Sequence, residues 1–206
     1  MEDLHSPTWF ALLRHARTAW NQEKRIQGQS DIPLTPKGRF QAREWGRHLK
    51  QHRWDRILTS DARRALETAS LVNISLRVPL VEDACLREQN WGRWTGKTVA
   101  QLKEEVPQLL AGQERAGWKF CPPGGEDRNT VWERSQGALK VAREKWPGEK
   151  ILVVTHGGVI KCLIYRLCGR EFLPTEPPLI RSHYFHWLVH DREGLRLKEI
   201  NAQALP

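Results

Sequence analysis

Ile151-Leu152-Val153-Val154-Thr155-His156-Gly157-Gly158 is the stretch on which the fold turns. Its first four residues are apolar without alternation, and three of them are β-branched. Such a run reads as a strand buried on both faces of a parallel sheet. It ends in a polar tip, Thr155-His156, and a double glycine. Val159 to Leu167 then reads as a helix. A second stretch is built the same way. Thr8-Trp9-Phe10-Ala11-Leu12-Leu13 is short, apolar and aromatic, and it ends in Arg14-His15. Parallel sheets bind ligands beyond the C-terminal ends of their strands, so two strands ending in histidine point to a site there.

Outward from these two strands the elements alternate. Thr35-Pro36 supplies an N-cap and a first-turn proline, and Phe40, Ala42, Trp45 and Leu49 suit an amphipathic helix after it. Asp55 to Thr59 reads as a strand. Ser60-Asp61 then opens a helix with apolar positions Ala62, Ala65, Leu66, Ala69 and Val72. Val78 to Val81 is a third strand, Val99 to Leu110 one weak helix, and Glu126 to Lys145 a long one. Tyr184 to Val189 and Leu195 to Ile200 pair as a hairpin across Asp191-Arg192-Glu193-Gly194. The expected fold class is α/β: a three-layer α/β/α sandwich around a mostly parallel sheet, with a small helical lid insertion. The 206 residues suit a single domain, 1–206, and the lid-like insertion lies at about 89–125, up to the break at Cys121-Pro122-Pro123-Gly124-Gly125.

Composition narrows the function classes. No apolar run approaches the roughly 20 residues of a membrane helix. Met1 to Pro7 is polar, carries Glu2 and Asp3, and does not read as a signal peptide. A cytoplasmic location is expected. Cys85, Cys121, Cys162 and Cys168 form no Cys-x-x-Cys pair and have no metal-like spacing to histidines, so buried reduced thiols are expected and no metal is assigned. The net charge of +9 favours anionic partners. The positive residues are scattered, no nucleic-acid motif occurs, and the ten tryptophans read chiefly as packing.

Six segments in order then make the pattern specific. They are Leu13-Arg14-His15-Ala16, then Asn21 with Gly28 and Asp31-Ile32-Pro33-Leu34-Thr35-Pro36-Lys37-Gly38, and Ser60-Asp61-Ala62-Arg63-Arg64-Ala65-Leu66-Glu67-Thr68-Ala69. Leu86-Arg87-Glu88-Gln89-Asn90-Trp91-Gly92-Arg93-Trp94-Thr95-Gly96, Pro123-Gly124-Gly125-Glu126 and Val153-Val154-Thr155-His156-Gly157-Gly158 follow. From about Phe10 to Asn201 the chain resembles the histidine phosphatase superfamily, also called phosphoglycerate-mutase-like. The resemblance implies a phosphomonoester hydrolase acting through a phosphohistidine on a small phosphorylated metabolite, with no cofactor and no metal. His15 would be the nucleophile, neutral because neighbouring arginines disfavour the imidazolium. Arg14 and Arg64 would hold phosphoryl oxygens, the spacing from Ser60 selecting Arg64 over Arg63. His156 would donate to the phosphoryl group, and Glu88 would serve as general acid and then base. Asn21 and Gly28 complete the matched phosphate-pocket segment. Gly157 would present a backbone N–H at a helix start.

One position departs from the family: Ala16 stands where glycine is usual. Alanine is strained if that position needs φ > 0. Two other readings compete. A phosphoglycerate mutase would need to keep water from its phosphohistidine. Against it, only Lys97 to Pro122 separates the acidic segment from the Pro-Gly-Gly-Glu turn, where mutases carry longer insertions. A binding module without turnover, for a phospholigand or nucleic acid, would account for the charge and Ala16 but not for Glu88. The organic part of the substrate is expected to be read by residues 89–125, with Trp91, Trp94, Trp118 and Arg115 as candidates. The substrate itself and the oligomeric state are not encoded in any motif.

Overall fold

The computed structural model describes residues 6–206; Met1 to His5 of the polar N-terminal stretch lie outside the described residues. In chain order the elements are β1 (Thr8–Arg14), α1 (Ala19–Gln22), α2 (Pro36–Leu49), β2 (Arg56–Thr59), α3 (Arg63–Leu76), β3 (Leu80–Glu82), α4 (Val99–Glu105), α5 (Pro107–Arg115), α6 (Arg128–Lys145), β4 (Lys150–Thr155), α7 (Gly157–Leu167), β5 (Tyr184–Asp191) and β6 (Gly194–Ala204). The six strands form one sheet in the order β3-β2-β4-β1-β5-β6. β3, β2, β4 and β1 run parallel, whereas β5 and β6 add an antiparallel hairpin at one side.

The sheet is covered on both faces because its strands are apolar on both faces. Phe10 and Leu12 of β1 and Ile151 and Val153 of β4 pack with Val131 and Leu139 of α6 and with α7. The alternate residues, Ala11, Leu13, Leu152 and Val154, pack with Trp45 and Leu49 of α2 and with α3. The period of two divides one run of sequence between two cores. A third cluster, Trp94, Leu102, Leu110 and Phe120, lies within the 89–125 segment, with Ile26 packed against it.

β1 leads to α2 on one face, while β4, beside it, leads to α7 on the other. A crevice therefore opens beyond the C-terminal ends of these two strands. Thr35 caps α2 by accepting from the Gly38 amide at 3.0 Å, and Pro36 takes the first turn. A Cβ at Gly38 would run into the Arg17 carbonyl, so glycine there lets α2 approach the loop that follows β1.

Several expectations are corrected. Phe40 is exposed, because the buried stripe of α2 runs through Gly38, Ala42, Trp45, Gly46 and Leu49, and position 40 falls opposite it. The weak helix at 99–110 is two helices, broken at Val106 before Pro107, where proline disfavours helical backbone in its predecessor. The cap residue of α3 is Ala62 rather than the Ser60-Asp61 pair. Of the four free cysteines Cys162 is buried, but Cys85 and Cys168 are exposed and Cys121 is half-buried. The mostly parallel sheet and the helix layers on its two faces agree with expectation.

Candidate active site

The two strand tips meet. Arg14 of β1 is in register with Thr155 of β4, and the His15 amide donates to the Thr155 carbonyl at 2.9 Å. His15 and His156 follow directly, with ring centroids 5.3 Å apart. His15 is 5 % exposed and His156 fully buried. Burial, and then the charges of Arg14 and Arg64, push the His15 imidazole well below the usual histidine range. The same causes act on His156, burial first and Arg64 next. Both rings are neutral at pH 7.

Their tautomers follow from their partners. His15 Nδ1 lies 2.8 Å from the Ala16 carbonyl, which can only accept, so Nδ1 carries the proton and Nε2 keeps its lone pair. His156 Nε2 lies 2.9 Å from Ser60 Oγ. That hydroxyl accepts from the Ala62 amide at 3.3 Å, and when it gives its own proton to Nε2 the His156 proton stands on Nδ1. His156 Nδ1 is buried and has no partner.

Arg64, at the start of α3, is fully buried. Its two terminal nitrogens donate to the carbonyls of Ser30 and Gly28, both at 2.7 Å, which fixes the plane of the guanidinium. Its Nε has no partner. Gly28 thus meets the site through its carbonyl, as a support for Arg64. Arg14 crosses Gly157 at the start of α7, and its side chain is open to the crevice although it lies deep in it. Burial works against the charge on Arg14 and Arg64, and the nearby Glu88 carboxylate supports it.

Glu88 is held from both sides. Its Oε1 accepts from the Gln89 amide at 2.8 Å and its Oε2 from the Gly158 amide at 3.1 Å. Thr155 donates to the Leu86 carbonyl at 2.8 Å, tying the Glu88 segment to the β4 tip. Arg134 of α6 donates to the carbonyls of Cys85, Arg87 and Glu88 and pairs with Glu126 at 2.7 Å. The Glu126 amide in turn donates to the Asn90 carbonyl at 3.0 Å, so the Pro-Gly-Gly-Glu turn braces the acidic segment. Asn21 lines the crevice, while its Oδ1 closes a capping box on Thr18.

Ala16 is free of the feared strain. It is absent from the residues with positive φ, its side chain is 1 % exposed in the core beneath α2, and its amide donates to Thr68 Oγ1 at 3.0 Å. A cavity of about 420 Å³ beside Arg14 and His15 is walled by Arg17, Gln41, Trp45 and His183, and no residue of 89–125 lines it. Trp91 and Trp94 instead pack on Phe120, and Trp118 packs on Phe172 with its Nε1 donating to the Arg170 carbonyl. Arg115 is exposed near the end of α5. The sequence gives neither Ser60 nor Arg134 a role in the site, the first because it stands where a helix cap is expected, the second because it looks like any charged residue of a long helix.

All the motif residues expected to act together, His15, His156, Arg14, Arg64 and Glu88, converge in this crevice. The family description "Histidine phosphatase superfamily (branch 1)" matches residues 10–203. The chain is 32% identical over 164 residues to a protein of Bacillus subtilis (strain 168) named "Uncharacterized phosphatase PhoE", covering 80% of this chain and 79% of that one. It is 36% identical over 162 residues to the "Probable phosphoglycerate mutase GpmB" of Cronobacter sakazakii, covering 77% and 74%. A solved structure of mycobacterial glucosyl-3-phosphoglycerate phosphatase superposes with a TM-score of 0.82 at 28% identity, over 96% of this chain and all of that one (100%). The chain belongs to branch 1 of the histidine phosphatase superfamily.

Proposed function

We propose that the chain hydrolyses phosphomonoesters of small metabolites in two steps, through a phosphohistidine formed at His15 Nε2. The observation that carries this reading is a pair of orphaned donors. Arg64 Nε–H and His156 Nδ1–H are both buried without a partner beside a neutral His15. Leaving a buried donor unpaired costs about 1–3 kcal/mol, and a phosphoryl group set against His15 would satisfy both. Arg14 would take a further oxygen, with the Asn21 side chain and the Gly157 amide at the start of α7 as additional donors.

In the first step the Nε2 lone pair forms a bond to phosphorus and the ester P–O bond breaks. Its electrons stay on the departing oxygen, which takes a proton from Glu88. The Ala16 carbonyl, bonded to Nδ1–H at 2.8 Å, supports the positive charge that the ring acquires. In the second step water attacks phosphorus and gives its proton to the Glu88 carboxylate. The P–N bond breaks and its electrons return to Nε2. Alcohol and inorganic phosphate leave, and His15 and Glu88 are restored. Arg14 and Arg64 supply the positive charge throughout, so the reaction needs no metal. The four free thiols suit a reducing compartment, and no helix among the described residues is long and apolar enough to cross a membrane, so we propose the cytoplasm as its location.

The mutase reading draws on the name of the Cronobacter relative. Against it stands the crevice itself, which leaves Arg14 open to solvent and so gives water a path to the phosphohistidine. The deciding experiment is phosphate release from a panel of phosphomonoesters with EDTA present, wild type beside His15→Ala. Release by the wild type alone supports the hydrolase. No release, together with primer-dependent interconversion of 2- and 3-phosphoglycerate, would replace it with the mutase.

A further inference from the structure

The cavity beside His15 has one wall with work at the phosphate and one without. Its charged lining side chains are Arg14 and Arg17, and among the described residues no carboxylate lines it. Arg14 belongs to the phosphate crevice. Arg17 points to no such partner: among the described residues its guanidinium makes no hydrogen bond and no ion pair, although Arg25, Arg39, Arg56, Arg87 and Arg134 are all paired with carboxylates.

The surroundings of Arg17 are built rather than loose. Gln41 of α2 accepts from the Arg17 amide through Oε1 at 3.3 Å and donates through Nε2 to His183 Nδ1 at 3.1 Å. That contact leaves the His183 proton on Nε2. Burial, then Arg17 and then Arg14, push His183 below its ordinary value, so the ring is a neutral donor. His183 itself sits at φ 64°, a left-handed conformation that costs a residue with a Cβ about 1–2 kcal/mol. It is held there by the Gln41 bond and by the Leu205 amide, which donates to the His183 carbonyl at 2.7 Å. The indole of Trp45 backs the ring, with centroids 6.2 Å apart.

We propose that this wall is a subsite for a carboxylate on the alcohol portion of the ester, received by the Arg17 guanidinium with His183 Nε2–H as a second donor. The proposal rests on the phosphomonoesterase reading and narrows its substrate class to phosphate esters of small hydroxy acids. Arginine's planar fork matches a carboxylate. One cation beside a neutral imidazole balances one negative charge; a second phosphate would bring about 1.5 to 2.

The test uses two probes with the same three carbons: 3-phosphoglycerate, and glycerol 3-phosphate, which has CH2OH in place of the carboxylate. A hydrogen bond to a charged group corresponds to about 10–100-fold in affinity, so kcat/KM for 3-phosphoglycerate should exceed that for glycerol 3-phosphate by at least about tenfold. Arg17→Gln should lower kcat/KM for 3-phosphoglycerate about tenfold more than for glycerol 3-phosphate, with the loss in KM, and Arg17→Lys should recover part of it. Equal loss on both probes, or no preference in the wild type, would overturn the subsite. Binding of the two probes to His15→Ala, with and without Arg17→Gln, is measured by calorimetry alongside. If the wild type releases phosphate from neither probe, the wider panel of phosphomonoesters decides the hydrolase reading. The binding comparison then decides the subsite alone: a preference for 3-phosphoglycerate that Arg17→Gln removes upholds it, and equal binding overturns it.

Discussion

Gly158 and Glu88 meet with no room for a side chain between them. The Gly158 amide donates to Glu88 Oε2 at 3.1 Å, and a Cβ at position 158 would overlap Oε1. The second glycine after His156 is therefore the seat of the acidic residue. Gly158→Ala should displace the carboxylate, and a misplacement near 1 Å costs about 100-fold in rate. The loss should be large for alkyl phosphates, whose leaving oxygen needs a proton, and small for p-nitrophenyl phosphate. Glu88→Gln should show the same split. Steady-state kinetics on both substrate types checks it, and equal losses would remove Glu88 from the acid role.

His15→Ala should abolish turnover by at least about 1000-fold, because no other neutral imidazole in the crevice has a free Nε2. Wild-type enzyme quenched in alkali during turnover should carry an acid-labile phosphate on His15, and phosphorus NMR should assign it to Nε2. Phosphate on Nδ1 would contradict the bond to Ala16.

Ser60→Ala should act through His156. Removing the hydroxyl frees His156 Nε2 and lets the proton leave Nδ1, the atom argued to face the phosphoryl group. One lost donor to developing charge costs about 100–1000-fold in kcat. A pure packing role would instead lower the Tm with kcat intact, so the two are measured together.

Acid should unfold the protein by way of its buried histidines. His15 and His156 are held well below the usual range, and His186, whose Nδ1 accepts from the Asn201 amide, is pushed down to about 4. The unfolded chain takes up protons at an ordinary value near 6.5, which the native state refuses. Stability is therefore full above about pH 6.5 and declines as pH falls below it, by roughly 1 kcal/mol per pH unit for each group. Urea midpoints at pH 7.5 and 5.5 should differ accordingly, and His186→Gln should flatten the slope by one group's share.

Ala16→Gly should lower stability by about 1 kcal/mol through the lost buried methyl and the freer backbone, and should bring no gain in kcat. Denaturant titration of the variant measures the first, and initial rates the second. A large gain in rate would mean that the methyl crowds the phosphate.

The parts of this architecture that lie in short apolar runs were readable in the sequence. β1 and β4 announce themselves, and their polar tips, Arg14-His15 and Thr155-His156, needed only a parallel sheet to bring them together. Arg64 and Glu88 were legible through their segments. What escaped is what depends on distant chain. Ser60 gains its meaning only when β2 lies beside β4, and Arg134 only when α6 lies beneath the Glu88 loop. The wall of the cavity beside His15 is not legible in residues 89–125, because tryptophans in a lid and tryptophans in a small core have the same composition. It is formed instead by α2 and by residues 182–184, which reach the crevice because β5 runs antiparallel and starts at the tip of β1.

The pairing of Arg14 with Thr155 joins positions 141 residues apart, and it sets the spacing of the two histidines by a single step between neighbouring strands. Nothing local in the chain can assemble this pair. It forms only when the ladder between β1 and β4 closes, a contact that must first bring distant chain together. Catalytic competence should therefore appear late in refolding, in step with the slowest-exchanging amides of these strands. A circular permutant joining residue 206 to residue 6 and opening on an exposed loop would change how fast activity appears without changing how much.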